Sequence, residues 1–154
     1  MVTVGKKNKK ISILLCITEK KVFNYQLFDG SVTGKDDGAF ILNVISQNDE
    51  IRLNIDHYVW YMDNAQIHKA SCIASILESI NVYYASPYSP FLNPIEEVFG
   101  LWKHYIRERA KNNRNELLKD TMSSLCKIHN KVIPHYVRYH LDFLVKSLNK
   151  EKIE

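Results

Sequence analysis

Three cysteines, Cys16, Cys72 and Cys126, are spread over the chain with no Cys-x-x-Cys among them. That spacing excludes a disulfide framework and a zinc knuckle, and it reads as reduced intracellular thiols in or near a core. No apolar run approaches the ~18 residues that a membrane span requires. The basic start (Lys6, Lys7, Lys9, Lys10) is followed only by a short strand-like run, so a signal peptide is not expected either. There is no glycine-rich phosphate loop, which leaves a nucleotide-cofactor enzyme without support. Repeats, low-complexity segments and interdomain linkers are also lacking, and no acidic residue precedes Glu19.

What remains is an ordinary globular composition. With 154 residues, 45% of them hydrophobic and 25% charged, the chain suits one domain with a real core. Lys and Arg number 21 against 17 acids, for a net charge of +4. The excess is compatible with a polyanion partner, but many metabolic enzymes are equally basic.

Patterning gives the order of elements. Ile11 to Thr18 is a β-rich run, and Glu19 to Lys21 form a charged turn before the alternating VFNYQLF, so the two strands make an antiparallel hairpin. Asp29-Gly30 and Gly34 mark a loop. A helix is expected from Asp36 to Gln47, with Phe40, Ile41, Val44 and Ile45 on one face. After a polar stretch, Asn48 to Asn54, comes YVWYMD, apolar on both sides like a central strand under helices. Ile67, Ala70, Ile73, Ala74, Leu77 and Ile80 predict a helix over 68–79. A strand at Val82 to Ala85 then enters an elbow at Pro87 and Pro90, and a helix runs from Asn93 to about Lys111. Further helical patterns follow on either side of Pro134. This is most of an α/β sandwich whose sheet mixes an antiparallel hairpin with parallel strands.

Two acids stand at informative places. Asp63 closes the strand at Met62, on the carboxyl end, where ligand sites of open α/β sheets gather. Glu96 lies in the first turn of the helix opened by Asn93-Pro94. Carboxylates brought together on a rigid scaffold bind hard divalent cations, the usual agents of phosphodiester cleavage. Each acid also has a structural explanation: Asn93, Pro94 and Glu96 spell a helix cap, and Asp63 suits the capping of the next helix, with Asn64 helping the turn. His68 has three possible roles: orienting the Asp63 loop, touching a phosphate, or starting a helix. On the Asn93 helix, Glu96, Gly100, Lys103 and Arg107 share a stripe outside the apolar face. Such a stripe suits a nucleic-acid backbone, or is simply a solvated face.

MDNAQIHK (Met62 to Lys69) followed by PYSPFLNPIEEVF (Pro87 to Phe99) resembles the catalytic domain of mariner-like and related insertion-sequence transposases, the DDE superfamily. The resemblance covers roughly Gly5 to Leu144, and the two acids stand 33 positions apart, close to the family spacing. It implies a ribonuclease-H-like three-layer α/β fold with a mixed sheet and C-terminal helices. Asp63 and Glu96 would be the last two of three catalytic, metal-binding carboxylates, holding Mg2+ or Mn2+ in a two-metal site. Asn64, His68, Asn93, Lys103 and Arg107 would support that site or contact DNA. The implied chemistry is hydrolysis and strand transfer in DNA transposition and integration. The implied partners are transposon ends, target DNA and, for the full-length protein, a second copy, with no membrane and no small-molecule cofactor. The expected location is intracellular, in the nucleus of a eukaryote or otherwise in the cytoplasm and nucleoid.

The chain departs from the family pattern at its start. The family's first Asp lies on a strand upstream of the hairpin, and here two strands, not three, precede the first helix. Asp29, Asp36 and Asp37 fall after the hairpin in what reads as a loop, so none is a natural substitute. No helix-turn-helix region is seen. Residues 1–154 are thus expected to be a single, partial DDE catalytic domain, N-terminally truncated, without its first strand and unable to cleave DNA alone. The alternative is a non-catalytic nucleic-acid-binding remnant of a transposable element, with its acids idle.

Overall fold

Alternation along one hairpin divides the interior into two cores. In the computed structural model, which describes residues 11–85, residues 93–109 without the side chains of 106–109, and scattered helical positions between 123 and 145, β1 (Ile11–Ile17) pairs antiparallel with β2 (Val22–Asp29). Successive strand residues point to opposite faces. Leu14 therefore packs with Phe40 and Val44, while Leu15 packs with Val22, Val98, Trp102, Ile128 and Ile133. The first core belongs to α1 (Gly34–Ser46) and the second to α4 (Pro94–Arg109), which gives helix, sheet and helix layers.

Helix α1 starts earlier than expected, and the reason is local. Thr33 and Asp36 form a reciprocal cap: the Asp36 N–H donates to Thr33 Oγ1 at 3.3 Å, and the Thr33 N–H donates to Asp36 Oδ2 at 2.9 Å. The Thr33 hydroxyl, which donates to Asp36 Oδ2 at 2.6 Å, and then the Thr33 N–H hold the Asp36 carboxyl below its ordinary pKa. Asp36 and Asp37 are thus helical and not in a loop.

Within the expected polar stretch, Asn48 caps a short helix, α2 (Asp49–Leu53), by accepting from the Ile51 N–H at 3.1 Å. The next strand, β3 (Val59–Met62), lies parallel to β4 (Asn81–Tyr84), with Trp60 opposite Val82 and Met62 opposite Tyr84. β3 is not covered on both sides as expected. Trp60 packs toward the α1 core, whereas Val59 is 63% exposed, on the face it shares with the exposed Tyr61 and Tyr83.

The helix expected over 68–79 is broken into 3-10 turns at Gln66–Lys69 and Ser71–Ile73 before α3 (Ala74–Glu78). Ala70 is extended there, and the Tyr84 hydroxyl donates to the His68 carbonyl at 2.8 Å, taking an acceptor that a continuous helix would need for the Cys72 N–H. Cys72 is exposed, against expectation, while burial pushes the Cys16 thiol up to about 11. No helix among the described residues is long and apolar enough to cross a membrane. The Pro87–Pro90 elbow, residues 1–10, Cys126 and most of the C-terminal helical pattern lie outside the described residues.

Candidate functional site

Asp63 is the first residue beyond β3, and both of its neighbours grip the exit of β4. The Ala85 N–H donates to the Met62 carbonyl at 2.7 Å, and Asn64 Nδ2 donates to the Ala85 carbonyl. The chain bound for Asn93 and Glu96 therefore leaves β4 beside Asp63. Asp63 Oδ1 accepts the Ala65 N–H at 2.8 Å, a local turn that redirects the chain into the 3-10 turn carrying His68. This hydrogen bond takes the place of the helix cap considered from sequence. Among the described residues nothing hydrogen-bonds Oδ2, and the Asp63 side chain is 46% exposed.

His68 stands between two carboxylates. Its Nδ1 lies 2.7 Å from Asp37 Oδ2, and its Nε2 lies 3.4 Å from Asp63 Oδ1, a charge contact longer than a good hydrogen bond. Asp37 is 1% exposed, and the hydrogen bond with His68 Nδ1 satisfies its buried carboxyl. Burial alone would lower the histidine pKa. The hydrogen bond and charge of Asp37, followed by the charge of Asp63, outweigh it and raise the pKa above 6.5.

A cation lies next to this group. Lys69 Nζ donates to Asn64 Oδ1 at 2.6 Å and sits 5.0 Å from the centroid of the Tyr84 ring. Asn64 is thus bonded on both ends of its amide and acts as a staple between β4 and Lys69.

On α4, Asn93 is 5% exposed, and its Oδ1 accepts the Ile95 N–H at 3.2 Å. Its carbonyl accepts the Glu96 N–H at 3.0 Å, so Asn93 fixes the helix start instead of facing a ligand. Glu96 is partly buried and its neighbour Glu97 exposed. Farther along, Gly100 is exposed and Lys103 Nζ lies 5.9 Å from the Phe99 ring centroid. The Arg107 side chain lies outside the described residues.

A carboxylate with one oxygen tied and one open is a suitable donor for an oxygen-seeking divalent ion. Asp37 does not extend that donor set, because the imidazole separates it from Asp63. Among the described residues, no three His, Cys, Asp or Glu side chains are arranged to hold a metal ion. Among the described residues, Asp63 suits part of the coordination of one such ion.

Sequence reasoning missed Asp37, Lys69 and Tyr84. A signal for Asp37 was available: once Thr33 and Asp36 are read as a cap, Asp37 falls three, four and seven positions before Phe40, Ile41 and Val44, on the apolar face. A charged residue there calls for a partner.

The family model for the DDE superfamily endonuclease matches residues 2–119. No curated protein sequence matches the chain. Among solved structures, the chain is similar to the catalytic domain of the Mos1 mariner transposase, at 17% identity and a TM-score of 0.75, over 100% of this chain and 80% of that one. It is also similar to the Mos1 mariner paired-end complex with Mn (17% identity, TM-score 0.79, 100% of this chain and 48% of that one). For the Mos1 strand transfer complex the figures are 17%, 0.75, 100% and 47%. The chain thus spans about half the length of the proteins in those complexes. The shared fold is the ribonuclease-H-like fold of the mariner catalytic domain.

Proposed function

Because the chain belongs to the DDE superfamily of endonucleases, we propose that it is catalytic-domain material of a DNA transposase, with Asp63 and Glu96 as two of the carboxylates that hold a divalent metal ion. The observation that carries this reading is the Asp63 carboxylate: half exposed, fixed through Oδ1 and open at Oδ2, beside the strand exit that leads to Glu96. Mg2+ or Mn2+ bound there would activate the attacking oxygen and stabilise the leaving oxygen of a phosphodiester.

The side chains divide the remaining work. Asp63 and Glu96 supply hard oxygen donors, and Asn93 fixes the turn from which Glu96 projects. Lys69, exposed beside Asp63, and Lys103 on the Glu96 helix offer positive charge to a DNA backbone. The Mos1 complexes contain paired transposon ends, Mn and a strand-transfer assembly, and by analogy the partners here are transposon ends, target DNA and a second copy. The location follows the DNA: the nucleus, or the nucleoid of a cell without one.

With two carboxylates and no third among the described residues, the 154-residue chain binds one ion weakly and does not cleave DNA by itself. Mn2+ titration of the purified chain, Asp63→Asn and Glu96→Gln, together with a plasmid-nicking assay in Mn2+, tests this. The expected result is a weak site lost in either variant, with no nicking. A site that survives both substitutions would remove the metal assignment, and nicking that depends on Asp63 and Glu96 would show the site to be complete.

A further inference from the structure

The geometry points to Asp37 and His68 as a buried positioning pair for Asp63, formed only because Gly34 and Gly38 let α1 approach the segment that carries His68. The inference rests on the reading of Asp63 as a metal-holding carboxylate and extends it to a helix that the sequence motifs do not include.

Asp37 occupies the apolar face of α1, at 1% exposure. A carboxylate in such a place is costly unless a partner satisfies it, and its hydrogen-bond partner is His68 Nδ1 at 2.7 Å. That bond fixes the plane of the ring, so the opposite edge of the imidazole, at Nε2, lies against Asp63 Oδ1, 3.4 Å away. The backbone of His68 is held as well, since its carbonyl accepts the Tyr84 hydroxyl. Asp63 Oδ1 thus accepts the Ala65 N–H and has the edge of the His68 ring packed against it, which leaves Oδ2 as the open oxygen.

Aspartate is short, so the pair requires the helix backbone to come very near the turns. A Cβ at Gly34 would collide with Ala70 Cβ, and one at Gly38 would lie 2.6 Å from Ile73 Cγ2. The two glycines are one helical turn apart and bracket Asp37, so both open the same contact. Their role is steric: the absence of a side chain sets the depth at which Asp37 meets His68.

The test measures Mn2+ affinity of the full 154-residue chain by electron paramagnetic resonance for wild type, Asp37→Asn, His68→Gln, the double variant and Asp63→Asn, with unfolding of each followed separately without metal. Residues that orient metal ligands typically contribute 10- to 100-fold to affinity, so each single substitution is expected to weaken binding about tenfold. The double variant is expected to be no weaker than either single one, because the two residues act as a unit. His68→Gln, at a partly exposed position, carries the test if Asp37→Asn fails to fold. Affinity of folded His68→Gln within twofold of wild type, with binding abolished in Asp63→Asn, would overturn the positioning role and leave the metal site standing. Binding unchanged in Asp63→Asn, or absent in wild type, would overturn the site reading and this inference with it.

Discussion

Asp37 on α1 and His68 on the turn after β3 meet at 2.7 Å, with side-chain exposures of 2% and 16%. Removing one member of such a pair leaves the other buried without compensation, which typically costs about 3 to 5 kcal/mol. His68→Ala is therefore expected to lower stability by about 3 kcal/mol, measured by urea unfolding at neutral pH. A loss below about 1 kcal/mol would mean that the pair behaves like an exposed one.

The same pair makes stability depend on pH. His68 has a raised pKa in the folded chain, so its contribution is complete below the unfolded value of 6.5 and is lost as pH rises through the folded value. The stability gap between wild type and His68→Gln is expected to be widest near pH 6 and to narrow toward pH 9. A gap that widens with rising pH would show that the neutral imidazole is the preferred partner.

Two glycines should respond in opposite ways to the same added methyl group. At Gly38 the new Cβ meets Ile73 Cγ2 at 2.6 Å and Ile76 Cδ1 at 3.1 Å, and overpacking of this kind costs about 1 to 3 kcal/mol. At Gly100 on α4 it meets nothing within 4 Å. There alanine gains helix propensity, and Gly100→Ala is expected to stabilise by about 0.5 to 1 kcal/mol. Thermal melts of both variants decide the matter, and destabilisation by Gly100→Ala would reveal a neighbour on that face.

DNA binding separates the catalytic reading from that of an idle, basic remnant. If Lys103 and Arg107 each contact a phosphate, Lys103→Ala/Arg107→Ala lowers affinity for any duplex and reduces the salt slope by ~1.8. Asp63→Asn should leave metal-free binding almost unchanged but remove its response to Mn2+. Mn2+ sensitivity that persists in Asp63→Asn would favour the remnant.

The hairpin was legible in the sequence because a β-rich run, a short charged turn and the alternating VFNYQLF have one simple solution, and β1 and β2 pair accordingly. Asp63 and Glu96 stood out through their motif, and the structure places one just beyond β3 and the other in the first turn of α4. Asp37 was not legible: a helix expected to begin at Asp36 put it in the first turn, where an acid reads as solvated, and only the earlier start set by the Thr33 and Asp36 cap brings it onto the buried face. The 68–79 segment misled in the opposite sense. Its apolar spacing fits a helix, but a tertiary bond, from the Tyr84 hydroxyl to the His68 carbonyl, competes with the helical ladder, and Ala70 turns extended. Likewise, the apolar run at β3 did not reveal that Val59 and Tyr61 face outward.

Leu14 and Leu15 are adjacent in the chain but belong to different interiors, one under α1 and the other under α4. The two interiors consequently share one thin partition, with β1 as the party wall: α1, which carries Asp37, stands on one side and α4, which carries Glu96, on the other. Loosening either interior would shift one helix while the other stays in place, so the mutual placement of α1 and α4 depends on the stiffness of a single seven-residue strand.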